Sequence, residues 1–141
     1  MTEISAETAI AAARREIGLP AAAGARHWRV RRLDATGQAY YLVVFGNARA
    51  AVGIADVDSG SGQVKSWARL PGSAPHGIID AERAIKLAGG DVTARAELVW
   101  KPCRASRSPF YPIWLIHSSK KAVYLDQQGQ LWNTLEDGGA G

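Results

Sequence analysis

The sequence predicts an α+β fold made of two repeated units, each a helix followed by an antiparallel β-meander, packed as one compact domain. Two recurring phrases predict it. The segment Ser5 to Ile10 (SAETAI) returns as Asp80 to Ile85 (DAERAI), and the segment YYLVVF from Tyr40 returns as YPIWLI from Tyr111. The copies are offset by 75 residues at the helices and by 71 at the strands, which indicates a small deletion in a loop. A repeat this regular predicts that the chain folds as two similar structural units.

Each unit is expected to open with a helix. Ser5 and Asp80 are suitable N-caps, and each is followed two residues later by a glutamate that favours the positive end of the helix dipole. Gly18 and Gly89 are expected to end the two helices. In the first helix the apolar residues recur at helical spacing, at Ala6, Ile10, Ala13 and Ile17.

Runs rich in Val, Ile, Tyr, Trp and Phe follow each helix and are separated by short turns of Gly, Asn, Asp and Ser. Strands joined by such short turns are antiparallel, and the helices must cover one of their faces. The predicted strands are 27–33, 39–45, 50–56 and 62–70 in the first unit and 94–101, 111–117, 122–126 and 130–135 in the second.

Length and composition favour one shared core. The chain has 141 residues, of which 47% are hydrophobic, whereas either half alone would be marginal in size. We therefore predict a first unit at 1–75 and a second at 76–141 that share one core or one continuous sheet.

The helix phrases AETAI and AERAI, the strand YYLVVF and the closing phrase from Ala55 to Val64 (ADVDSGSGQV) resemble the PepSY domain. The chain is similar to two tandem, divergent PepSY units. That resemblance implies a cystatin-like architecture and a role in binding or inhibiting peptidases and peptides instead of catalysis. The second unit departs from the pattern, because Pro109 and Pro112 precede its central strand and its turn at Asp126 is shorter.

The chain is expected to be cytoplasmic and not to enter a membrane. Its apolar stretches near the start are too short to cross a bilayer. Glu3 and Glu7 stand where a secretory signal would carry positive charge. The single cysteine, Cys103, cannot form an internal disulfide, which fits a reducing compartment.

Signatures of catalysis are mostly absent, so we predict no cofactor, no metal and no catalytic residue. Two groups of residues are the exceptions. Cys103 has cationic neighbours that favour a thiolate, and His117 is conceivable as its base. Asp56 and Asp58, two apart on a strand, offer oxygen ligands to a hard cation, although a solvated turn explains them more simply.

Basic residues interleave with aromatic ones in two acid-free segments, from Ile17 to Leu33 around Trp28 and from Leu98 to Leu125. The formal charge is +4 and the pI is near 9.5. This pattern is compatible with the binding of a single-stranded nucleic acid, which is our second alternative. The simpler interpretation is that the aromatic residues pack in the core.

The favoured interpretation is a non-catalytic binding module that recognises a peptide or protein partner, acidic in character, by strand addition at a basic sheet edge. The role would be that of an inhibitor, an immunity protein or an accessory protein for a precursor peptide. The first alternative is a small enzyme or small-molecule-binding protein with a pocket between helix and sheet, and an edge-strand dimer is also conceivable. The predicted contact residues are Arg29, Arg31, Arg49, Arg104, Arg107, Tyr111 and Trp114.

Overall fold

The structure, a computed structural model, describes residues 2–47, 49–119 and 121–136. It confirms the α+β class, with each predicted helix and strand present in the predicted order. The elements are α1 (Ala6–Ile17), β1 (Ala25–Arg32), β2 (Ala39–Gly46), β3 (Ala51–Asp58), β4 (Val64–Arg69), α2 (Ala81–Leu87), β5 (Arg95–Trp100), β6 (Ile113–His117), β7 (Ala122–Leu125) and β8 (Leu131–Trp132).

The described residues fall into two compact units. Unit 1 comprises Met1–Arg31 and Gly37–Gly77, and unit 2 comprises Arg32–Thr36 and Ile78–Gly141. Within unit 1 the strands follow the order β4-β3-β2-β1, and within unit 2 the order is β5-β6-β7-β8. Neighbouring strands in each of these orders are antiparallel.

Helix α1 is bounded by the residues that the sequence indicates. The Ser5 side chain accepts a hydrogen bond from the Thr8 backbone N–H at 3.1 Å. At the other end Gly18 has φ 80°, and both Gly18 and Leu19 donate backbone bonds to Arg14 O. This is the left-handed termination that glycine permits at low conformational cost.

The buried face of α1 consists of Ala9, Ala13 and Ile17, and it packs on side chains from β2 and β3. Gly53 of β3 permits the close approach, since a Cβ there would lie 2.9 Å from Leu19 Cδ1. As a result the face of the unit 1 sheet that carries Gly53 and Ala55 is the α1 side.

Unit 2 has a shorter helix and a shorter last strand. Asp80 caps α2 by accepting from the Arg83 N–H at 2.8 Å, and α2 is seven residues long. The last strand was predicted at 130–135, but β8 contains only Leu131 and Trp132. Leu135 instead packs with Cys103 and Ile113 in a small core.

Candidate functional site

The side chain of Cys103, the candidate nucleophile, is buried in the structure. Cys103 is 0% exposed and contributes to the small core of unit 2. Its Sγ donates to Ser106 O at 3.6 Å. His117, its conceivable partner, is exposed at the end of β6. A fully buried thiol of this kind behaves as a small apolar residue, and a reagent reaches it only when the unit opens.

The two aspartates of β3 serve the fold. Asp56 is buried and accepts from Ser66 Oγ at 2.7 Å. Asp58 closes the turn after β3 by accepting from the backbone N–H groups of Gly60 and Ser61, at 3.1 and 2.7 Å. These bonds, chiefly the one from Ser61, hold the pKa of Asp58 below its ordinary value. Within the described residues, no three His, Cys, Asp or Glu side chains form a cluster that could hold a metal ion.

Three predicted contact residues lie in unit 1, and their environments differ. Arg29 is exposed on β1, where its Nε and Nη2 donate to the two carboxylate oxygens of Glu3 at 3.0 and 2.8 Å. Arg31 is half-buried on the same strand. Arg49 is exposed after β2, and its backbone N–H donates to Asn47 Oδ1 at 2.8 Å.

The other four lie in unit 2. Arg104 pairs with Glu136 at 3.3 Å, with both side chains exposed. Arg107 is exposed in the same loop, and Tyr111 is 51% exposed. Trp114 differs from these because it is buried, at 7% exposure. The seven residues are thus divided between the units and differ widely in accessibility.

Trp28 is the aromatic residue at the centre of the first basic segment, which the nucleic-acid alternative would use. It is half-buried on β1. The Arg26 guanidinium stacks 5.5 Å from its ring and donates to His76 O at 2.7 Å. Arg26 therefore already interacts both with Trp28 and with the end of unit 1.

A different part of unit 1 has the geometry of an open sheet edge. Among the described strands of unit 1, β4 stands at the end of the order and pairs with β3 alone. Leu70 donates to Val52 O at 3.0 Å, which identifies Val52 and Leu70 as a hydrogen-bonded pair. Such pairs alternate along an antiparallel ladder, so the backbone N–H and C=O groups of Trp67 and Arg69 point away from β3. We call this outward side of Val64–Arg69 the β4 edge.

The side chains at the β4 edge alternate strictly between exposed and half-buried. The exposed set is Lys65, Trp67 and Arg69, and Trp67 is 43% exposed. In the register with β3, Trp67 lies opposite Ala55 and Arg69 opposite Gly53, which places these side chains on the α1 side. The register shift between Asp56 and Val57 adds one residue to β4 at this point.

The charged residues of β4 itself, Lys65 and Arg69, are both basic. Between Asp58 and Asp80 the sequence contains Lys65, Arg69 and His76 but no acidic residue. Arg69 Nη2 donates to Ile17 O at 2.7 Å at the C-terminal end of α1, where a cation is favoured. Since a guanidinium has five N–H donors, this bond leaves Arg69 capacity for a further acceptor.

Sequence reasoning missed Lys65, Trp67 and Arg69 as a site. The signal was present as KSWAR, a cation, an aromatic residue and a second cation at period two. It was not recognised because the sequence does not say which strand ends a sheet.

Unit 2 also has an open cleft of about 460 Å³ between α2 and the loop that leads into β5. Its lining mixes both charges with apolar residues, and Val92 at its rim is fully exposed. The lining residues are Glu82, Ile85, Lys86, Gly90, Asp91, Val92 and Ala94.

Comparison with protein-family models, with characterised proteins and with solved structures found no match to this chain. Neither helix in the described part of the chain has the length and apolar character needed to cross a bilayer.

Proposed function

We propose that the protein is a non-catalytic binding module that accepts an extended, acidic peptide as an added strand along the β4 edge. One observation carries the proposal. The outward backbone groups belong to Trp67 and Arg69, and the side chains of these two residues are exposed on one side of the sheet. Main-chain bonds can give affinity there while the side chains give specificity.

The expected energies are sufficient for a moderate affinity. Each main-chain hydrogen bond contributes about 0.5–1.5 kcal/mol, and each exposed ion pair contributes about 0.2–1 kcal/mol. An accessible tryptophan at the centre of a contact is the residue type most often found at binding hot spots, where truncation costs at least about 2 kcal/mol. Trp67 is therefore the expected anchor.

A second copy of the chain is a poorer occupant of this edge than an acidic peptide. In an antiparallel self-pairing centred on Trp67, each Lys65 would face an Arg69. Like charges directly opposite each other destabilise a strand pair. The lysine and arginine also act as the charges by which natural proteins discourage edge-to-edge aggregation.

We also propose that the two units descend from a duplication and that the protein works in a reducing, cytoplasmic setting. Helix followed by four antiparallel strands is the element order in both units, which supports the first proposal. The single unpaired Cys103 supports the second.

Strand addition is tested with N-methylated peptides. The probe is a fluorescent heptapeptide of glutamate, threonine and a central leucine, titrated with the full chain. One version of the probe is N-methylated at its even-numbered residues and the other at its odd-numbered residues, and we call these two versions the two phases. An added strand bonds to its neighbour through alternate residues only, so only one phase loses the N–H groups that it needs. We expect one phase to retain its affinity and the other to lose about tenfold or more, since about 1.4 kcal/mol is tenfold. Equal losses in both phases would contradict strand addition.

The location is tested with side-chain variants. Trp67→Ala should weaken the unmethylated probe about tenfold or more. Leu131→Ala is the matched control, because Leu131 is 46% exposed on the last strand of unit 2. The double variant Arg104→Ser/Arg107→Ser examines the site predicted from the sequence. A loss confined to that double variant would move the site to unit 2.

A further inference from the structure

The two faces of the β4 edge differ in charge, and this difference selects a class of peptide. Resting on the proposed function, we infer that the edge prefers strands with an apolar residue flanked two positions away on each side by acidic residues. In such a strand all three side chains project to one face. That face is the α1 side, on which Trp67 and Arg69 lie, and the exposed Lys65 stands two residues before Trp67 at the β-bulge.

The α1 side provides the complementary groups. A peptide residue directly opposite Trp67 in an antiparallel pairing has its Cβ about 5 Å from the tryptophan Cβ, on the same face. Its neighbours two positions away then lie opposite Lys65 and Arg69. An apolar residue at the centre covers the indole, and carboxylates on either side meet the two cations.

Arg69 is held in position before any peptide arrives. Its Nη2 bonds to Ile17 O at 2.7 Å and reaches Gly18 O at 3.4 Å, so the guanidinium is fixed at the end of α1. An ordered side chain loses less conformational freedom on binding than a mobile one. The arginine thus combines a structural bond with a directed charge.

The opposite face of β4 has no such character. Its residues are Ser66 and Ala68, both half-buried. The Ser66 hydroxyl donates to Oδ2 of the buried Asp56 at 2.7 Å, so it is already engaged within unit 1. Carboxylates of an added strand that face Ser66 and Ala68 meet no cation of β4, so they gain no ion pair with this strand.

Two peptides of identical composition test the inference by fluorescence anisotropy with the full chain. In the first, glutamates flank the central leucine at two positions on each side. In the second, they are adjacent to the leucine and threonines take the outer positions, so the acids and the leucine project to opposite faces. We expect the first to bind about tenfold more tightly, because the second must give up either the indole contact or both ion pairs.

Variants identify the groups that discriminate. Lys65→Gln should reduce the preference between the two peptides, and Trp67→Ala should nearly abolish it. Lys86→Gln in unit 2 is the matched lysine control and should leave the preference unchanged. Equal affinity of the two peptides for the unaltered chain would overturn the inference.

The outcomes separate this inference from the proposed function. If N-methylation shows a phase effect but the two peptides bind equally, the edge accepts strands without reading their faces, and only this inference fails. If neither peptide binds at low salt, the proposed function fails as well. If both bind equally and Trp67→Ala changes nothing, the contact is elsewhere and both are wrong.

Discussion

In both units an aromatic side chain donates a hydrogen bond to the backbone carbonyl just before the helix, but the donor is a tyrosine hydroxyl in unit 1 and a tryptophan N–H in unit 2. In unit 1 the Tyr41 hydroxyl donates to Ile4 O at 3.1 Å. In unit 2 the Trp114 indole N–H donates to Ile79 O at 2.7 Å. Tyr41 and Trp114 occupy equivalent places, each opposite the last residue before a hairpin aspartate. The carbonyl just before each N-cap is thereby satisfied by an aromatic side chain of the second strand in its unit.

The amide of the same isoleucine is also bonded in each unit, but by different means. Ile4 donates its N–H to Ser59 O at 2.8 Å, which is a backbone acceptor. Ile79 donates its N–H to Gln127 Oε1 at 2.8 Å, which is a side-chain acceptor. Gln127 also donates to Pro112 O at 2.9 Å. The backbone bond tolerates substitution of its residue, whereas the bond in unit 2 depends on one glutamine.

The open ends of the two strand orders differ more than the helix attachments do. The β4 strand has six residues and carries an exposed Trp67, whereas β8 has two residues. The Trp132 indole in β8 donates to Asp126 Oδ2 at 3.0 Å and is half-buried. A strand of two residues presents little backbone to a partner. The longer backbone edge of β4 therefore favours unit 1 as the peptide site.

Removal of the aromatic donor should have the largest effect, and it should be larger in unit 2. Trp114→Phe replaces the buried indole with a smaller phenyl ring and leaves Ile79 O without its donor, for an expected cost of about 2–3 kcal/mol. Tyr41→Phe removes only a hydroxyl from a half-buried side chain, at about 0.5–1.5 kcal/mol. Urea unfolding measures both values. Equal costs would show that the two attachments are energetically equivalent despite their different burial.

Local signals in the sequence predicted most of the fold. Capping residues, terminal glycines and runs of β-forming residues located both helices and all eight strands, because each depends on neighbouring residues. The alignment of Tyr40 with Tyr111 was less successful. By strand register the residue equivalent to Tyr41 is Trp114, two positions away from the residue that this alignment assigns to it. Which residues of neighbouring strands lie opposite each other depends on the lengths of the connecting loops. An alignment of two tyrosines does not reveal this register.

The candidate site was harder to predict for a related reason. Whether Trp67 is exposed at an edge depends on which strands pair with β4, and that is a long-range property. Trp114 shows the converse, since a tryptophan in an apolar run has the same sequence character whether it packs inside or faces a partner. Arg29 could not be recognised as the partner of Glu3, because the two are far apart in the chain.

Removal of the glutamine should have an intermediate and local effect. Gln127→Ala deletes the acceptor of the Ile79 N–H and the donor to Pro112 O, for an expected cost of about 1–2 kcal/mol. Ser59→Ala keeps the backbone carbonyl that accepts from the Ile4 N–H, and its cost, about 0.5–1.5 kcal/mol, comes from the lost bond between the Ser59 hydroxyl and Glu3. Amide hydrogen exchange followed by NMR distinguishes the two. The Ile79 amide should lose protection in Gln127→Ala, and the Ile4 amide should keep it in Ser59→Ala; loss at both would contradict the difference between the attachments.

Lowering the pH should produce the smallest of the differences in stability between the two units. Glu3 bonds to Arg29 and to Ser59 Oγ, and Ile78 occupies the corresponding place before Ile79 in unit 2. The bonds from Arg29, and then that from Ser59, lower the pKa of Glu3 below its ordinary value of 4.5. The stabilisation is therefore present above pH 4.5 and is lost as the pH falls through the lower folded-state pKa. Since both side chains are partly exposed, we expect about 0.2–1 kcal/mol.

An NMR titration of the Arg29 Nε–H resonance measures this carboxyl directly. The midpoint should lie below 4.5, the ordinary value for Glu3. In Glu3→Gln the titration should disappear and the stability should depend less on pH in that range, because the amide carries no charge. A midpoint at or above the ordinary value would mean that the pair contributes no stability in solution. The helix attachment of unit 1 would then be no more sensitive to acid than the amide attachment of unit 2.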